Sequence, residues 1–438
     1  MTARDRSSES EQCVIARYDA DRDAKAVAQI WLECGWIEEL GTESGMVRKY
    51  LEAAQDALVA RVGDQAECCV ISSDATVRYD ATDLSMGAVT GVTTSWVARK
   101  TGLASSLTAL LLRAQANRGH AVSILGMFEE GFYNRVGFGS GGYEYWLAFD
   151  PASLMPRVPY RQPRRLTTKD HKQIYTALIN RQRQHGGVNI LSPDTLKTEL
   201  KHFDRPMGLG YFDGPGGTLS HFVFGEMKDE NGPFEILMKA WQSPQQLLEL
   251  VTMLASLGDQ IDSIEMQEPG DIQFQDLLKQ PIRHRRMMET AKNGDSSEAM
   301  AVWQLRILDL AACISTVKAT VPCRFNLELT DPVEAVLGAL PERHDASNIA
   351  ADSALNGWSG VAGNYIVNLD SSSHIETGSD ETLPSVRASV SAFSRLWFGT
   401  QSASSLMVTD DLSISDDDLT RVLDEVFRQP RPHLGWDF

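Results

Sequence analysis

Residues 88–127 show a pattern of apolar positions that predicts a strand, a helix and a second strand. Residues 88–97 are rich in β-branched side chains, which favour strands. In the following segment apolar residues recur at spacings of three and four positions, as on one face of a helix: Leu103, Leu107, Leu110, Leu111 and Ala114. Gly119 ends this pattern, and residues 121–127 form another short apolar run.

The segments on either side of residues 88–127 are also patterned. Residues 21–39 predict a helix whose apolar face consists of Val27, Ile30, Trp31 and Cys34. Residues 67–71, which contain Cys68 and Cys69, are typical of a strand, so the two thiols should point to opposite faces of a sheet. Residues 151–165 interleave prolines with arginines and predict a linker.

A second patterned region follows that linker. Residues 168–184 predict a helix, and residues 208–212 and 218–225 predict strands. Ser243 followed by Pro244 predicts the start of a helix that continues to residue 257, because serine caps helices and proline is accepted at the first helical position.

From about residue 303 the composition shifts towards Ser, Asp and β-branched residues. Residues 325–329 and 363–369 predict strands, and residues 385–393 predict a helix. Residues 415–427 predict a further helix with Ser415 and Asp418 as a capping box.

Length and pattern together predict three domains. A chain of 438 residues at about 150 residues per domain fits boundaries at 1–150, 151–300 and 301–438. The mixture of helices and strands places the fold in the mixed α/β or α+β class.

Charge excludes some classes of partner. The chain has 41 Lys and Arg against 59 Asp and Glu, a net charge of −18, which argues against nucleic acid and suits a cationic substrate. The polar N-terminus and the lack of a long apolar run predict a cytoplasmic protein with no membrane partner. Six cysteines and nine histidines show no metal-ligand spacing, so we expect no metal.

The junction between the strand and the helix predicts an anion site. Gly102 lets the backbone approach a ligand closely, and Arg99 and Lys100 add positive charge. The first N–H groups of the helix have no internal partner, so a pyrophosphate fits there.

This junction resembles motif A of the GNAT acyltransferase superfamily, Gln/Arg-x-x-Gly-x-Gly/Ala, through Arg99, Gly102 and Ala104. The sequence Tyr-x-x-x-Gly-Phe-Gly at residues 133–139 resembles the usual ending of such domains, where a tyrosine lies near the CoA sulfur. Residues 240–245 lack motif A before the second predicted helix of this kind, so the second domain is interpreted as degenerate and one acetyl-CoA per chain is expected.

Within the superfamily, the chain is similar to the enhanced-intracellular-survival (Eis) N-acetyltransferases over most of its length. Their architecture implies two GNAT-like domains followed by a sterol-carrier-protein-like domain, and a homohexamer. Their signature Gly-x-Tyr-x-Arg-x-Gly-Tyr/Phe-Gly matches residues 131–139. The resemblance implies that Tyr133 is the general acid and that the terminal carboxylate of Phe438 is the general base.

The resemblance also implies binding residues. For acetyl-CoA, Val92, Thr93 and Thr94 would pair with the pantetheine. The residues around the phosphates would be Arg99, Lys100, Thr101, Gly102, Leu103, Ala104 and Ser105. Phe128 and Glu129 would form the opposite wall. For the acceptor amine the binding residues are Trp36, Glu38 and Asp437. His433 is close enough in sequence to the C-terminus to be a further candidate.

The resemblance implies direct acetyl transfer to primary amines of polyamine or aminoglycoside type. Three alternatives stay open at this point. The acceptor could be a lysine of a peptide or protein, the chain could bind acyl-CoA without catalysis, or the last domain could carry a lipid.

Overall fold

The structure is a computed structural model, and it describes residues 13–127, 131–280, 295–340, 352–436 and 438. The strands are β1 (Cys13–Arg17), β2 (Asp56–Val62), β3 (Gln65–Tyr79), β4 (Thr82–Thr94), β5 (Val122–Gly126), β6 (Gly139–Ser140), β7 (Glu144–Phe149), β8 (Arg164–Leu166), β9 (Val188–Ile190), β10 (Pro206–Tyr211), β11 (His221–Met227), β12 (Phe234–Ala240), β13 (Ile264–Gln267), β14 (Ser296–Met300), β15 (Trp303–Ile307), β16 (Cys323–Thr330), β17 (Gly363–Leu369), β18 (His374–Thr377), β19 (Ser385–Ser389) and β20 (Leu412–Ile414). The helices are α1 (Ala20–Glu33), α2 (Leu40–Ala53), α3 (Leu103–Asn117), α4 (His171–Ile179), α5 (Pro193–Glu199), α6 (Pro244–Ala255), α7 (Leu310–Ser315), α8 (Val333–Gly338), α9 (Val390–Trp397), α10 (Ala403–Thr409) and α11 (Asp417–Val426).

The first sheet has the strand order β1-β2-β3-β4-β5-β15-β6, and β9 also pairs with β3. β4 and β5 are parallel, and α3 connects them. The apolar face of α3 is buried in the same core as Tyr133 and Phe138. The predicted order of strand, helix and strand over residues 88–127 is therefore confirmed.

The second sheet repeats this arrangement in the order β14-β7-β13-β12-β11-β10-β8. β12 and β13 are parallel, and α6 connects them as α3 connects β4 and β5. The Ser243 side chain accepts a hydrogen bond from the Gln246 N–H, and Pro244 is the first residue of α6, as predicted. The mixed α/β fold with two GNAT-like sheets is confirmed.

The two sheets exchange strands. β7 follows the first sheet in sequence but pairs with β13 and β14 of the second. β15 follows the second sheet in sequence but pairs with β5 and β6 of the first. Hydrogen bonding thus crosses the expected boundaries near residues 150 and 300, and the three-domain division of the sequence stays a prediction.

The third sheet has the order β18-β17-β16-β19-β20. The helix predicted at residues 385–393 is wrong in its first half, where β19 pairs in parallel with β16 and α9 starts only at Val390. The capping box of the last helix is also wrong, since Asp416 caps α11 while the Ser415 hydroxyl accepts from the Ser385 N–H. The likeness of this third part to a sterol carrier protein stays a prediction.

Near the N-terminus the predicted helix over residues 21–39 is too long. α1 ends at Glu33, and a turn precedes a second helix, α2, that the sequence analysis did not predict. Cys68 and Cys69 lie in β3 and belong to different apolar cores on its two faces, as expected.

A buried ion pair joins the third part of the chain to the first sheet. Arg306 of β15 donates to Asp331 at 2.6 Å, and both side chains are fully buried. Asp331 also accepts from the N–H groups of Val333 and Val361. Arg306 further donates to the carbonyl oxygen of Val136, in the turn that carries Tyr133. The pair therefore fixes that turn.

We expect Asp331→Asn to destabilise the protein by about 3–5 kcal/mol, because it leaves the Arg306 charge buried without a counter-charge. Urea unfolding followed by circular dichroism measures the shift. Glu328→Gln, on β16 three residues before Asp331, removes one partner of an exposed pair with Arg387, and it should change stability by about 1 kcal/mol or less. Equal changes in the free energy of unfolding for the two variants would contradict a special role for the buried Arg306–Asp331 pair.

Candidate functional site

The parallel strands β4 and β5 separate at a β-bulge. Their pairing ends at Val89 and Leu125. On the other edge of β4, Ser72 pairs with Val89 and Ile71 with Gly91, so Thr90 is the extra residue of the bulge. A bulge bends its strand, and here it directs residues 90–94 away from the end of β5. The predicted residues Val92, Thr93 and Thr94 therefore have one backbone edge on β3 and the other facing an opening in the sheet.

The loop after β4 leads into the start of α3. Lys100 and Gly102 have left-handed backbone conformations, with φ of 64° and 88°. Such a conformation costs a non-glycine residue about 1–2 kcal/mol, so the strain at Lys100 points to a functional constraint. The Thr101 hydroxyl donates to the Ala98 carbonyl at 2.6 Å and stabilises the turn.

The N-terminus of α3 is suited to an anion. No side chain caps it, since its N-cap is Gly102. Leu103 anchors the helix in the core, while Ala104 and Ser105 are only half-buried. Arg99 and Lys100 are exposed, and among the described residues neither forms an ion pair with a carboxylate. Uncapped N–H groups, the helix dipole and two cations together favour a phosphate group at this point.

Tyr133 begins a short 3₁₀ turn, Tyr133–Val136, that packs on α3. Its ring contacts Phe132 and Phe138 edge-on, with centroids 4.9 and 6.1 Å apart. The tyrosine is 7% exposed. The ring is therefore held by packing on two sides, and its turn is held by the Arg306–Asp331 pair.

Phe438, the last residue of the sequence, lies next to the C-terminal end of β5. A Cβ atom built on Gly126 would stand 3.3 Å from the main-chain carboxyl oxygen of Phe438. Gly126 is the last residue of β5, next to the opening that the β4 bulge creates. The structure thus brings the carboxyl group of the last residue to the same opening as residues 90–94.

The segment before Phe438 is held by contacts with the first two sheets. The Val188 N–H donates to the Leu434 carbonyl at 2.9 Å, and the His433 N–H donates to the His185 carbonyl at 3.1 Å. The Nδ1 atom of His433 lies 2.7 Å from a carboxylate oxygen of Glu144, whose side chain is 1% exposed. The buried Glu144 side chain therefore holds the tail in place through His433.

Phe438 also lines a cavity of about 190 Å³ between α2, the second sheet and the tail. The other lining residues are Tyr50, Leu178, Glu199, Phe203, Leu237, Met238, Gly435 and Trp436. Burial, with the Glu199 carboxylate close by, raises the pKa of Tyr50, so its phenol stays neutral. The aromatic walls and the Glu199 side chain favour a cation in this cavity.

Trp36 and Glu38 lie in the turn between α1 and α2. The Trp36 ring packs edge-on against Trp31 at 5.2 Å and is 44% exposed. One of its ring atoms would lie 3.5 Å from a Cβ on Gly91, in the divergent part of β4. Glu38 is exposed in the same turn, and its N–H donates to Glu43. Trp36 thus borders the opening from the side of α1.

Three predicted site residues, Phe128, Glu129 and Asp437, lie outside the described residues. The sequence analysis missed the cavity residues Tyr50, Glu199 and Phe203. A weak signal existed for Tyr50, because Val47, Tyr50 and Leu51 have helical spacing, but the glycines at 41 and 45 dilute it. Glu199 and Phe203 give no such signal, since they reach the site only through packing of the second sheet region.

Asp213, His221 and Glu249 bring possible metal-ligand atoms within 4.8 Å of one another. Arg161 donates to the Asp213 and Glu249 carboxylates at 2.6 and 2.5 Å. Its guanidinium already pairs with both carboxylates, so we assign no metal to this cluster. None of the helices in the described residues has the length and apolar character of a membrane span.

The divergent parallel strands, the uncapped helix and the bulge define the donor cleft of a GNAT acetyltransferase. In agreement, residues 17–141 match the acetyltransferase (GNAT) domain family. These residues thus form a GNAT acetyltransferase domain, and domains of this family use acetyl-CoA as acyl donor. The sequence matches no curated protein.

Solved structures resemble the whole chain. A probable N-acyltransferase from Enterococcus faecalis V583 is 16% identical, with a TM-score of 0.74 over 97% of this chain and 100% of its own. A GCN5-related N-acetyltransferase from Kribbella flavida is 16% identical, with a TM-score of 0.73 over 98% and 99%. Eis1 from Mycobacterium abscessus is 16% identical, with a TM-score of 0.72 over 97% and 100%. At this identity the likeness establishes a shared fold.

Proposed function

We propose that this protein transfers the acetyl group of acetyl-CoA to a primary amine of a cationic small molecule, of the polyamine or aminoglycoside class. The observation that carries the proposal is the position of the Phe438 carboxyl group. One of its oxygens lies beside Gly126 at the opening between β4 and β5, and Phe438 also lines a cavity with an acidic and aromatic wall. One residue thus borders both a donor cleft and a cavity suited to an amine.

The donor would lie along β4 with its phosphates at the start of α3. The free edge of residues 92–94 can pair with the pantetheine amides as an added strand does. The pyrophosphate would face residues 99–105, where the uncapped N–H groups of α3 and two cationic side chains meet. The wall formed by Phe128 and Glu129 remains part of this proposal. One donor per chain is proposed, because α6 lacks a comparable N-terminus.

The reaction needs three proton transfers. The Phe438 carboxylate would take one proton from the ammonium group, directly or through water, so that the amine nitrogen can form a bond to the thioester carbonyl carbon. The nitrogen of the tetrahedral intermediate would then lose its second proton to solvent by way of the same carboxylate. When the carbon–sulfur bond breaks, the Tyr133 hydroxyl would give its proton to the thiolate and regain one from solvent, and the reference pKa values of about 10 for tyrosine and about 8.5 for a thiol are close enough for useful proton transfer.

The acceptor amine would enter between Trp36 and the cavity at Phe438. Glu38, Asp437 and Glu199 would supply negative charge, and the aromatic rings would supply cation–π contacts. The resemblance to Eis proteins adds a homohexamer to this proposal, which sedimentation velocity tests.

A screen of acceptors with a thiol-release readout tests the proposed function. The panel contains polyamines, aminoglycosides, a lysine peptide and a neutral alcohol analogue of one polyamine, each with acetyl-CoA. We expect turnover with the multi-amine cations and none with the alcohol. Thiol release with the peptide alone would transfer the proposal to a lysine acetyltransferase, and no release with any amine would refute it.

We expect Gly102→Ala to raise the KM for acetyl-CoA about tenfold and to leave the KM for the amine nearly unchanged. The added Cβ disfavours the left-handed backbone by about 1–2 kcal/mol and so shifts the loop that faces the phosphates. Steady-state kinetics with each substrate varied measures both constants.

Gly119→Ala is the matched control for this variant. Gly119 has a φ of 83° just beyond the opposite end of α3, and a Cβ there meets no atom within 4 Å. It should lower thermal stability by a similar amount without changing either KM. An equal change of the acetyl-CoA KM in both variants would show that strain in α3, and not the loop, is responsible.

A further inference from the structure

A larger cavity, of about 440 Å³, lies in the second sheet region and shares only Gly435 with the lining of the cavity at Phe438. It borders the end of β12 and the first turns of α6, next to the parallel partner β13. The tail residues His433, Leu434 and Gly435 form another wall. Its volume lies within the range of ordinary small-molecule sites.

This cavity is not built for a phosphate group. α6 starts with Pro244, which has no N–H, and Ser243 caps the Gln246 N–H. The Gln246 side chain in turn accepts from the Gln242 N–H at 2.7 Å. Pro244 and the capped Gln246 N–H therefore leave α6 fewer free donors than the uncapped start of α3, which favours an occupant other than a phosphate group.

The lining combines an apolar surface with basic side chains. Trp241, Leu247 and Leu248 contribute apolar surface. Arg181, Arg183, Lys239 and His433 are basic, and the described residues that line the cavity include no Asp or Glu. In a chain with a net charge of −18, this is a local reversal of sign.

Arg181 is the basic residue with the least compensation. It is 9% exposed, and its guanidinium donates to uncharged acceptors, the carbonyls of Leu178, Val188 and Leu434 and the Asn189 side chain. Burial, with Arg183 close by, lowers the pKa of Arg181 to about 9. Arg183 pairs with Asp83 and His433 with Glu144, so the uncompensated charge sits at Arg181. A nearby anion would stabilise the charged guanidinium.

We propose that this cavity binds a small amphipathic monocarboxylate, with its apolar part against Trp241, Leu247 and Leu248 and its carboxylate on the side of Arg181 and Lys239. A single negative charge suits Arg181, which has no carboxylate partner among the described residues. An apolar tail suits the rest of the lining, which a free inorganic anion would leave unfilled.

Isothermal titration of the full chain, without acetyl-CoA, tests this site. The probes are octanoate, 1-octanol and octylammonium, which share one chain and differ in the head group. We expect saturable binding of one octanoate per chain, about tenfold tighter than the binding of octanol. The difference in affinity between octanoate and octylammonium should be larger still. Because no acetyl transfer is measured, failure of the proposed function would leave this result unchanged.

Variants locate the site. Leu247→Trp fills the cavity and should weaken octanoate binding about tenfold or more, whereas Leu191→Trp, at a half-exposed leucine outside the cavity, should not. If Leu247→Trp does not fold by circular dichroism, Lys239→Gln decides, since it should reduce the preference for octanoate over octanol. The proposal would be overturned if octanoate showed no saturable binding or bound no more tightly than octylammonium. It would also be overturned if Leu247→Trp left octanoate binding unchanged, or if Lys239→Gln left the preference for octanoate over octanol unchanged.

Discussion

Tyr133→Phe is expected to lower kcat about 10²–10⁴-fold while the affinity for acetyl-CoA stays the same. The variant removes the proposed proton donor and keeps the ring that packs against Phe132 and Phe138. Thiolate would then leave without protonation, which slows the step that breaks the carbon–sulfur bond. Steady-state kinetics give kcat, and equilibrium titration with acetyl-CoA gives the affinity.

Tyr143→Phe is the control for the loss of a phenol elsewhere in the same region. Tyr143 is 58% exposed and lies just before β7, so its hydroxyl should not affect turnover. A Tyr133→Phe variant that kept kcat within a few-fold of the parent would remove Tyr133 from the mechanism. A matching loss of acetyl-CoA affinity would instead give it a binding role.

The donor side of the site could be predicted because its signals are local. The helix face from Leu103 to Ala114, and the glycine at 102, depend on residues within about one turn of each other. α3 begins at Leu103 and Gly102 has a positive φ, as this pattern requires. The start of α6 was equally local, since Ser243 and Pro244 are adjacent.

The errors arose where distant residues decide the local structure. Val386 and Ala388 alternate with an exposed Arg387, but the strand that this implies forms only because β16 lies beside it, about 60 residues earlier in sequence. The exchange of β7 and β15 between sheets depends on pairing across about 150 to 185 residues. Periodicity within a window of 11–18 residues carries no information on such pairing.

The acceptor side shows the same limit. Glu144 anchors His433 across 289 positions, and Glu199 reaches the cavity of Phe438 from the second sheet region. These contacts make the position of the C-terminal carboxyl depend on all three parts of the chain. Only the family resemblance predicted that the C-terminal tail reaches the site. The residues that hold the tail there, such as Glu144, are seen only in the structure.

Adding two glycines after Phe438 is expected to lower kcat about 100-fold or more, the second large effect. The addition converts the Phe438 carboxylate into an amide, which cannot accept the proton, and moves the new carboxyl up to about 7 Å away. The cavity wall formed by Tyr50 and Glu199 is unchanged, so amine binding should persist. Initial rates over a range of pH measure the loss, and the acid limb that reports the carboxylate should disappear with it.

Phe438→Leu separates the carboxyl group from the ring. It keeps the carboxylate at the same chain position and removes only aromatic contact area, so it should cost far less turnover than the extension. If the extended protein turned over as fast as the parent, the carboxyl group of Phe438 could not be the base, and Glu199 would become the next candidate at the same cavity. If Phe438→Leu lost as much activity as the extension, packing of the ring and not proton transfer would explain the dependence on the last residue.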